Sequence, residues 1–484
     1  MFIAKITLEN FKGFSGVHTI SFNKGINFFV GNNNCGKSTV FEAVEFIKTL
    51  NRKSKEDFLN KGSSGEVSVT IEFRGDVEDV INGSDQLKKQ YSSYIDDDGE
   101  KFITIQRSSR PEKVMQGKKE KTLGLSSVRV RDPKDGRFKN PTGVDNTIGA
   151  LFEAQFVWAD TNPSDVADFG STKICGRLLQ RSSGDFFSSN QWTSFKEVHK
   201  STFVEGEDSL SSKVKPLAAK LQRIMTDQYG ETEVKFHFTL PDVASFLKTG
   251  TIFLSDDGID TSSSSKGTGM QRALALSLIQ VYADVSTKLD DEEKTSKPLL
   301  FFIDEPETFL HPSAQYKLLN ALESISADSQ IFVTTHSPYL LKRYAPSNHS
   351  LFVFSKNKGS HIEPSASLNM FGMISPTWGE INFSAFGVVS EEFHNELYGF
   401  LQERAIAEDE KNYYPKEFDD YLVAKGLAKN KNYVHLKSDG TTINYFATPQ
   451  TYIRNVIHHP ENTNNMKFSE AELRSSIEAM VSLI

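Results

Sequence analysis

The chain has 484 residues, of which 38% are hydrophobic and 24% are charged, and its formal net charge is −8. This length exceeds one ordinary domain and predicts two or three folding units. The charged fraction excludes wholesale disorder, and two cysteines, Cys35 and Cys175, exclude a disulfide framework. No stretch approaches the ~18 apolar residues of a membrane span, and charge enters the first residues too early for a signal peptide. We therefore expect a cytoplasmic protein without a membrane partner.

The first predicted elements are short alternating strands. Residues 2–9 and 17–22 alternate apolar with polar side chains, and residues 66–73 and 102–105 repeat the pattern. Together they predict an antiparallel β layer. The polar stretch 76–150 is predicted to be an irregular insertion.

Residues 31–38, Gly-Asn-Asn-Asn-Cys-Gly-Lys-Ser, fit the phosphate-loop pattern G-x-x-x-x-G-K-[ST]. An apolar run, 26–30, precedes them and a helical stretch, 39–50, follows, which is the context that the pattern requires. Backbone N–H groups and the helix N-terminus would face one spot that suits the phosphates of ATP. Lys37 is predicted to reach the β- and γ-phosphates, and Ser38 to bind Mg²⁺. The predicted nucleotide-binding residues of the loop are Asn32, Asn33, Asn34, Cys35, Gly36, Lys37, Ser38 and Thr39.

A basic segment lies farther along, where residues 107–139 contain eleven Lys or Arg and four Asp or Glu. Such a segment often contacts nucleic acid or an acidic protein surface. A solvated loop without a partner is the commoner interpretation of charge runs, and both interpretations stay open.

Three further segments carry candidate site residues. Gly267-Thr268-Gly269 forms a turn before an Ala/Leu-rich helix, which is a second anion-binding device. The apolar run 298–303 ends in Asp304 and Glu305, as a buried parallel strand does where it opens onto a ligand. Asp304 is predicted to hold Mg²⁺ with Ser38, and Glu305 to polarise the attacking water. A second such strand, 330–335, ends in His336, which is predicted to donate a hydrogen bond to the γ-phosphate.

This order of motifs resembles the ABC-type ATPase heads of the SMC, Rad50, RecF and OLD group, and segment 304–312 is most similar to the OLD branch. The resemblance implies an α/β fold, a P-loop NTPase with a mixed central sheet and an antiparallel β layer. In that group, two heads dimerise head-to-tail around two ATP molecules. Gly267, Thr268 and Gly269 would then face ATP across the dimer, with either Ser265 or Thr268 providing the hydroxyl. Gln155 is the candidate for a glutamine that contacts Mg²⁺.

The resemblance divides the chain into a first ATPase lobe (1–75), an inserted β/helical region with the basic segment (76–240), a second lobe (241–375) and a mainly helical C-terminal domain (376–484). After residues 351–354 the acidic turn of a Toprim nuclease is missing from the sequence. The chain looks like the ATPase subunits of the PARIS anti-phage defence system. That resemblance implies a large homo-oligomer, a separate Toprim-type nuclease subunit that it holds inactive, and an acidic phage protein as the trigger.

Two alternatives remain. Arg454 and His459 have the R-x₄-H spacing of HEPN ribonucleases, although a polar helix face explains so short a motif more often. The other alternative is a DNA-repair ATPase of the SMC or RecF type that grips duplex DNA with the basic segment.

Overall fold

The computed structural model describes residues 1–50, 54–116, 119–160, 163–170, 173–240, 242–256, 258–289, 297–308, 310–341, 344–355, 361–364, 368–437 and 440–484. The chain divides into two compact units. Unit 1 contains residues 1–159, 293–308 and 312–484, and unit 2 contains residues 160–292 and 309–311. Within the described ranges, no helix combines the length and the apolar character that crossing a bilayer requires.

The strands of these ranges are β1 Phe2–Glu9, β2 Val17–Ser21, β3 Ile26–Gly31, β4 Ser68–Arg74, β5 Asp96–Asp97, β6 Lys101–Ser108, β7 Glu112–Gln116, β8 Lys119–Leu123, β9 Val128–Arg131, β10 Phe138–Lys139, β11 Glu153–Val157, β12 Phe253–Asp256, β13 Ile259–Ser262, β14 Leu299–Asp304, β15 Gln330–Thr334, β16 His349–Ser355, β17 His361–Pro364, β18 Lys431–Leu436 and β19 Thr442–Ala447.

The α-helices are α1 Lys37–Lys48, α2 Val77–Asn82, α3 Asp85–Tyr91, α4 Val144–Leu151, α5 Pro163–Val166, α6 Ile174–Ser182, α7 Gly184–Phe187, α8 Asn190–Phe203, α9 Leu210–Lys213, α10 Lys215–Tyr229, α11 Val243–Leu247, α12 Thr268–Leu289, α13 Pro312–Ser326, α14 Pro338–Leu341, α15 Trp378–Phe386, α16 Glu391–Glu408, α17 Pro415–Ala424, α18 Pro449–His458 and α19 Glu470–Val481.

The predicted antiparallel layer is confirmed as a sheet with the strand order β10-β9-β6-β4-β1-β2, to which β5 adds beside β6. One row of β-branched side chains crosses five of its strands in register: Ile20, Ile6, Ile71, Ile105 and Val130. All five are buried. Because cross-strand pairs of β-branched residues on one face stabilise a sheet, this row fixes the register against the core.

Residues 102–105, predicted as a strand of this layer, lie in β6. The prediction that the rest of 76–150 is irregular is wrong, because β9 and β10 extend the same sheet and α2 to α4 accompany them. The predicted boundary at residue 75 therefore falls inside the sheet. The charged residues that obscured the alternation have partners within the fold. Buried Arg107, for example, donates hydrogen bonds to the carbonyl oxygens of Phe46, Thr49 and Leu125.

The basic segment 107–139 is compensated in the same way. Arg129, also buried, pairs with Glu112 at 3.0 Å. Acidic residues outside the segment form ion pairs with three of its other cations: Arg110–Glu9, Lys121–Asp145 and Arg131–Asp96. The local excess of positive charge in the sequence therefore does not become an equal excess on the surface.

The second sheet of unit 1 is parallel and has the strand order β11-β14-β15-β3-β16-β17, with only the pairing of β16 and β17 antiparallel among its described pairs. Every residue of β3, β14 and β15 is buried. The rings of Phe302 and Phe332 stack between adjacent strands with their centroids 4.7 Å apart. Because these strands are parallel, their carboxyl ends lie together at one edge of the sheet.

Gln330, the first residue of β15, connects the two sheets. Its Oε1 accepts a hydrogen bond from the Ile3 amide at 2.8 Å, and its Nε2 donates to the Ile3 carbonyl at 2.8 Å. The ladder between β1 and β4 shifts register between Ile3 and Lys5, so this side chain pairs backbone groups beside the irregularity.

The C-terminal part of unit 1 has its own core, and its helical character is confirmed. Helices α16 to α19 pack Phe393, Leu397, Phe418 and Ile477 together, and the hairpin β18–β19 lies beside them. Unit 2 contains α5 to α12 and the hairpin β12–β13.

Candidate nucleotide-binding site

The phosphate loop connects β3 directly to α1. Gly36 precedes the helix with φ 96°, and Asn34 has φ 61°, so the loop uses left-handed backbone at two positions. A Cβ on Gly31 would lie 2.2 Å from the carbonyl oxygen of Phe354, so β16 closely approaches the start of the loop. Gly36 has no side chain with which to cap α1, and the first N–H groups of the helix remain suited to an anion.

Lys37 is the buried cation of this loop. Its Nζ donates hydrogen bonds to the carbonyl oxygens of Gly31 and Asn32, both at 3.0 Å, and lies 2.8 Å from Nε2 of His336. Burial lowers the pKa of the Lys37 ammonium. The thiol of Cys35 is also buried, and burial raises its pKa. The side chains of Asn32, Asn33 and Asn34 are exposed at the loop tip.

The two predicted magnesium ligands are in direct contact. Ser38 Oγ donates a hydrogen bond to Asp304 Oδ1 at 2.8 Å, and the hydroxyl of Thr334 donates to the same oxygen. Hydroxyl and carboxylate oxygens are the ligands that Mg²⁺ prefers, and they adjoin the phosphate loop, so the residues present fit the ion.

Glu305 and His336 extend the site beyond the ends of β14 and β15. Glu305 Oε1 lies 3.3 Å from Nε2 of His336. Glu305 has φ 45°, and its amide donates to Oγ1 of Thr334 at 3.0 Å. Burial, and then the charge of Lys37, lower the pKa of His336, which favours the neutral imidazole.

Glu307 is a residue of this site that was not predicted from the sequence. Its Oε1 accepts hydrogen bonds from the Thr335 hydroxyl at 2.7 Å, the His336 amide at 2.7 Å and the Ser337 amide at 3.1 Å. Burial raises the pKa of this carboxyl group. The signal that could have revealed Glu307 was a second acid after Asp304 and Glu305, separated from them by Pro306 in a stretch too short to leave the site.

The remaining candidates are Gln155 and the Gly-Thr-Gly turn. Gln155 lies in β11 opposite Phe301 of β14, three residues before Asp304, and its amide donates to Glu153 at 2.7 Å. Gly267, Thr268 and Gly269 lie in unit 2, where α12 begins at Thr268 and the amides of Met270 and Gln271 donate to the carbonyl oxygen of Gly267. The chain thus brings Lys37, Ser38, Asp304, Glu305 and His336 together, and the structure does not bring Gln155 to them.

Arg454 lies in the middle of α18, and His459 lies directly after its end. The guanidinium donates to Oδ1 of Asn455 at 3.1 Å and lies 6.0 Å from the centre of the Tyr398 ring. His459 follows the last helical residue, and its Nδ1 lies 3.2 Å from Glu461 Oε1. Arg454 therefore contacts its own helix and α16, and His459 contacts the residues that follow α18.

Comparisons with known proteins show two curated relatives over most of the chain. It is 26% identical to the Old nuclease of Escherichia phage P2 over 356 residues, which cover 70% of this chain and 57% of the nuclease. It is 24% identical to the retron Ec83 probable ATPase of Escherichia coli over 388 residues, which cover 69% of this chain and 68% of that protein. The chain therefore spans little more than half the length of the phage nuclease.

A solved structure, the SmcHead bound to the C-winged helix domain of ScpA, covers 75% of this chain and 97% of its own, at 14% identity and a TM-score of 0.43. So low a score supports no argument by itself. The strand orders of the two sheets and the phosphate loop at the edge of the parallel one define the predicted fold, a P-loop NTPase of the ABC-ATPase head type.

The family described as "AAA domain, putative AbiEii toxin, Type IV TA system" matches residues 26–342. The matched range contains the phosphate loop, the Asp304–Glu305 pair and His336. The chain belongs to this family of ATPases.

Proposed function

We propose that the chain binds and hydrolyses ATP with Mg²⁺ and serves as the ATPase subunit of an anti-phage defence complex. The first part rests on three contacts: those of His336 with Lys37 and with Glu305, and that of Ser38 with Asp304. These residues come from three parallel strands, and side chains at the carboxyl ends of such strands form the ligand site of open α/β sheets.

Each residue has a distinct task in this proposal. Lys37 binds the β- and γ-phosphates, and Glu305 accepts a proton from the attacking water. His336 donates a hydrogen bond to the γ-phosphate. Ser38 and Asp304 would hold Mg²⁺, which neutralises phosphate charge when bound.

A second copy of the chain would complete the site. We infer that Gly267, Thr268 and Gly269 face ATP bound to a partner subunit in a head-to-tail dimer, and that such dimers build a larger homo-oligomer. The surface that this chain would offer to the partner's ATP is the start of a helix, since α12 begins at Thr268 and extends for 22 residues. A helix start that follows glycine offers backbone N–H groups to an anion.

The defence part of the proposal follows from similarity. The relatives include a phage nuclease named Old and a retron ATPase, and the sequence resembles AriA, the ATPase subunit of the PARIS system. We infer that this chain holds a separate Toprim-type nuclease subunit inactive and releases it when an acidic phage protein is detected. A DNA-repair ATPase is the competing function, and the internal compensation of the basic segment argues against a grip on duplex DNA.

The ATPase proposal is tested by turnover of ATP with Mg²⁺ in the wild type and in Glu305→Gln. The variant should bind ATP with unchanged affinity and hydrolyse it about 100-fold more slowly, because the amide cannot accept the proton from water. Normal hydrolysis by Glu305→Gln would remove Glu305 from its task. Two measurements distinguish the functions. Plain duplex DNA at low salt should stimulate ATP hydrolysis by a repair ATPase. A defence ATPase should instead be indifferent to DNA and retain its nuclease subunit on co-purification.

A further inference from the structure

We propose that Glu307 is a positioning residue for ATP hydrolysis. It fixes the backbone of residues 335–337 and so places the imidazole of His336 between Glu305 and Lys37. The inference rests on the proposed ATPase function and adds to it a residue that touches neither the phosphates nor the water. Glu307 acts through His336.

One oxygen atom of Glu307 collects three hydrogen bonds from three consecutive residues. The Thr335 hydroxyl and the His336 amide donate to Oε1 at 2.7 Å, and the Ser337 amide donates at 3.1 Å. The amides of residues 336 and 337 follow the end of β15, where the strand ladder no longer pairs them. Because buried N–H groups require partners, the carboxyl group replaces the ladder at this point.

Glu307 belongs to the same turn as Glu305. The Thr308 amide donates to the Glu305 carbonyl oxygen at 3.1 Å, which closes this turn, and Glu305 is held in left-handed backbone with φ 45°. The side chain of Glu305 contacts the imidazole, and the side chain of Glu307 holds the backbone of the same histidine. One turn therefore sets the distance between the residue that activates water and the residue that reads the γ-phosphate.

The carboxyl group is buried, and its Oε2 has no hydrogen-bond partner within the described part of the chain. Burial raises the pKa of Glu307, which favours the uncharged form. Oε1 can accept from the three donors in either protonation state. A glutamine offers the same acceptor oxygen, so the positioning task does not require the carboxylate.

The test compares kcat, KM and the Kd of a fluorescent ATP analogue in the wild type, Glu307→Gln and Glu307→Ala. The alanine variant should lose on the order of 100-fold in kcat, as a misplacement of about 1 Å does, with Kd unchanged. Glu307→Gln should keep wild-type kcat. If Glu307 were a base or a metal ligand, Glu307→Gln would be as slow as Glu307→Ala, and that result would overturn the proposal.

A double-mutant cycle with His336→Ala shows whether the effect passes through His336. In that background Glu307→Ala should have little further effect on kcat, since the residue it positions is gone. Two multiplicative losses would mean that Glu307 acts independently, and the proposal would be wrong. Glu307→Asp, whose carboxyl group is one methylene farther from the donors, replaces the alanine variant if that protein does not fold, and it too should lose kcat.

A measurement that does not depend on ATP hydrolysis tests the positioning role separately from the proposed ATPase function. The NMR signal of the His336 imidazole should shift in Glu307→Ala and stay in place in Glu307→Gln. If the wild type does not hydrolyse ATP, the proposed function fails, and this signal still decides whether Glu307 positions His336. An imidazole signal unaffected by Glu307→Ala contradicts the positioning task.

Discussion

Nε2 of His336 lies 2.8 Å from Nζ of Lys37, although 299 positions separate the two residues in the sequence. An ammonium group only donates hydrogen bonds, so Nε2 accepts and the imidazole carries its proton on Nδ1. Burial and the charge of Lys37 both lower the pKa of His336. Burial and the cation of the phosphate loop thus both favour the neutral form of this histidine.

The first prediction concerns Lys37→Met, which removes this charge and keeps an unbranched side chain. Binding of ATP with Mg²⁺ should be lost, because the loop no longer offers a cation to the phosphates. The pKa of His336 should rise toward its ordinary value, since one of the two causes that lower it has gone. Isothermal calorimetry measures the binding, and an NMR titration measures the pKa.

Lys24→Met is the matched control, because Lys24 is exposed in the same unit. It should change neither quantity. If the pKa of His336 is the same in Lys37→Met as in the wild type, the contact with Lys37 does not influence the protonation of the histidine.

The second prediction concerns the close approach of β16 to the phosphate loop. In Gly31→Ala, the new Cβ would lie 2.2 Å from the Phe354 carbonyl oxygen, at a position with φ 138°. Backbone must move, so the free energy of unfolding should fall by about 2–3 kcal/mol and ATP affinity should fall with it. Urea denaturation measures the stability.

Gly149→Ala in α4 is the control, because nothing lies within 4 Å of its added Cβ. Helix propensity there favours alanine by up to about 1 kcal/mol. Equal stability losses in the two variants would mean that Phe354 yields easily and that the loop tolerates a side chain.

Whether a strand could be predicted from the sequence depended on how its residues are buried. Strands β3, β14 and β15 are buried on both faces, so their apolar runs predicted the strands, and Asp304 and His336 lie at the ends of two of them. Strands β6 and β9 carry charged residues such as Arg107, whose partners come from distant segments. Their periodicity therefore predicted only residues 102–105 of β6 as a strand, and none of β9. Glu307 was not predicted for a related reason. Two of its partners are backbone amides, and a pattern of residue types does not show which amides a carboxyl group will bind.

The third prediction tests the connection between the two sheets. Gln330→Leu preserves the approximate size of the side chain and removes its acceptor and donors, leaving the amide and carbonyl of Ile3 unpaired in a buried place. Unfolding free energy should fall by about 2–4 kcal/mol, since each orphaned group destabilises the fold by about 1–3 kcal/mol. Gln86→Leu, on an exposed position of α3, should change stability by less than about 0.5 kcal/mol. If Gln330→Leu has the same urea midpoint as the wild type, water molecules pair with the amide and carbonyl groups of Ile3 in place of the glutamine, and the prediction is wrong.

The fourth prediction concerns His394, a fully buried residue of α16 whose Nε2 lies 2.9 Å from Ser476 Oγ on α19. Burial lowers its pKa to about 3. The unfolded chain binds this proton near pH 6.5 and the folded chain does not, so the stability of the folded state is complete above that pH. It is lost as the pH falls from about 6.5 toward 3. At pH 5 the loss should amount to about 2 kcal/mol.

The double variant His394→Leu with Ser476→Ala isolates this contribution, because it removes the titrating group without orphaning the serine hydroxyl. Burial lowers the pKa of His336 and His349 as well, and their contributions have the same sign. They remain in the variant, so only the difference between the two proteins reports on His394. Urea denaturation at pH 7.5 and pH 5 should show a loss in the variant that is smaller by about 2 kcal/mol. His435→Gln, on an exposed part of β18, should lose as much as the wild type. Equal losses in all three proteins would mean that protonated His394 is accommodated in the core, and that the helices around it open at low pH for another reason.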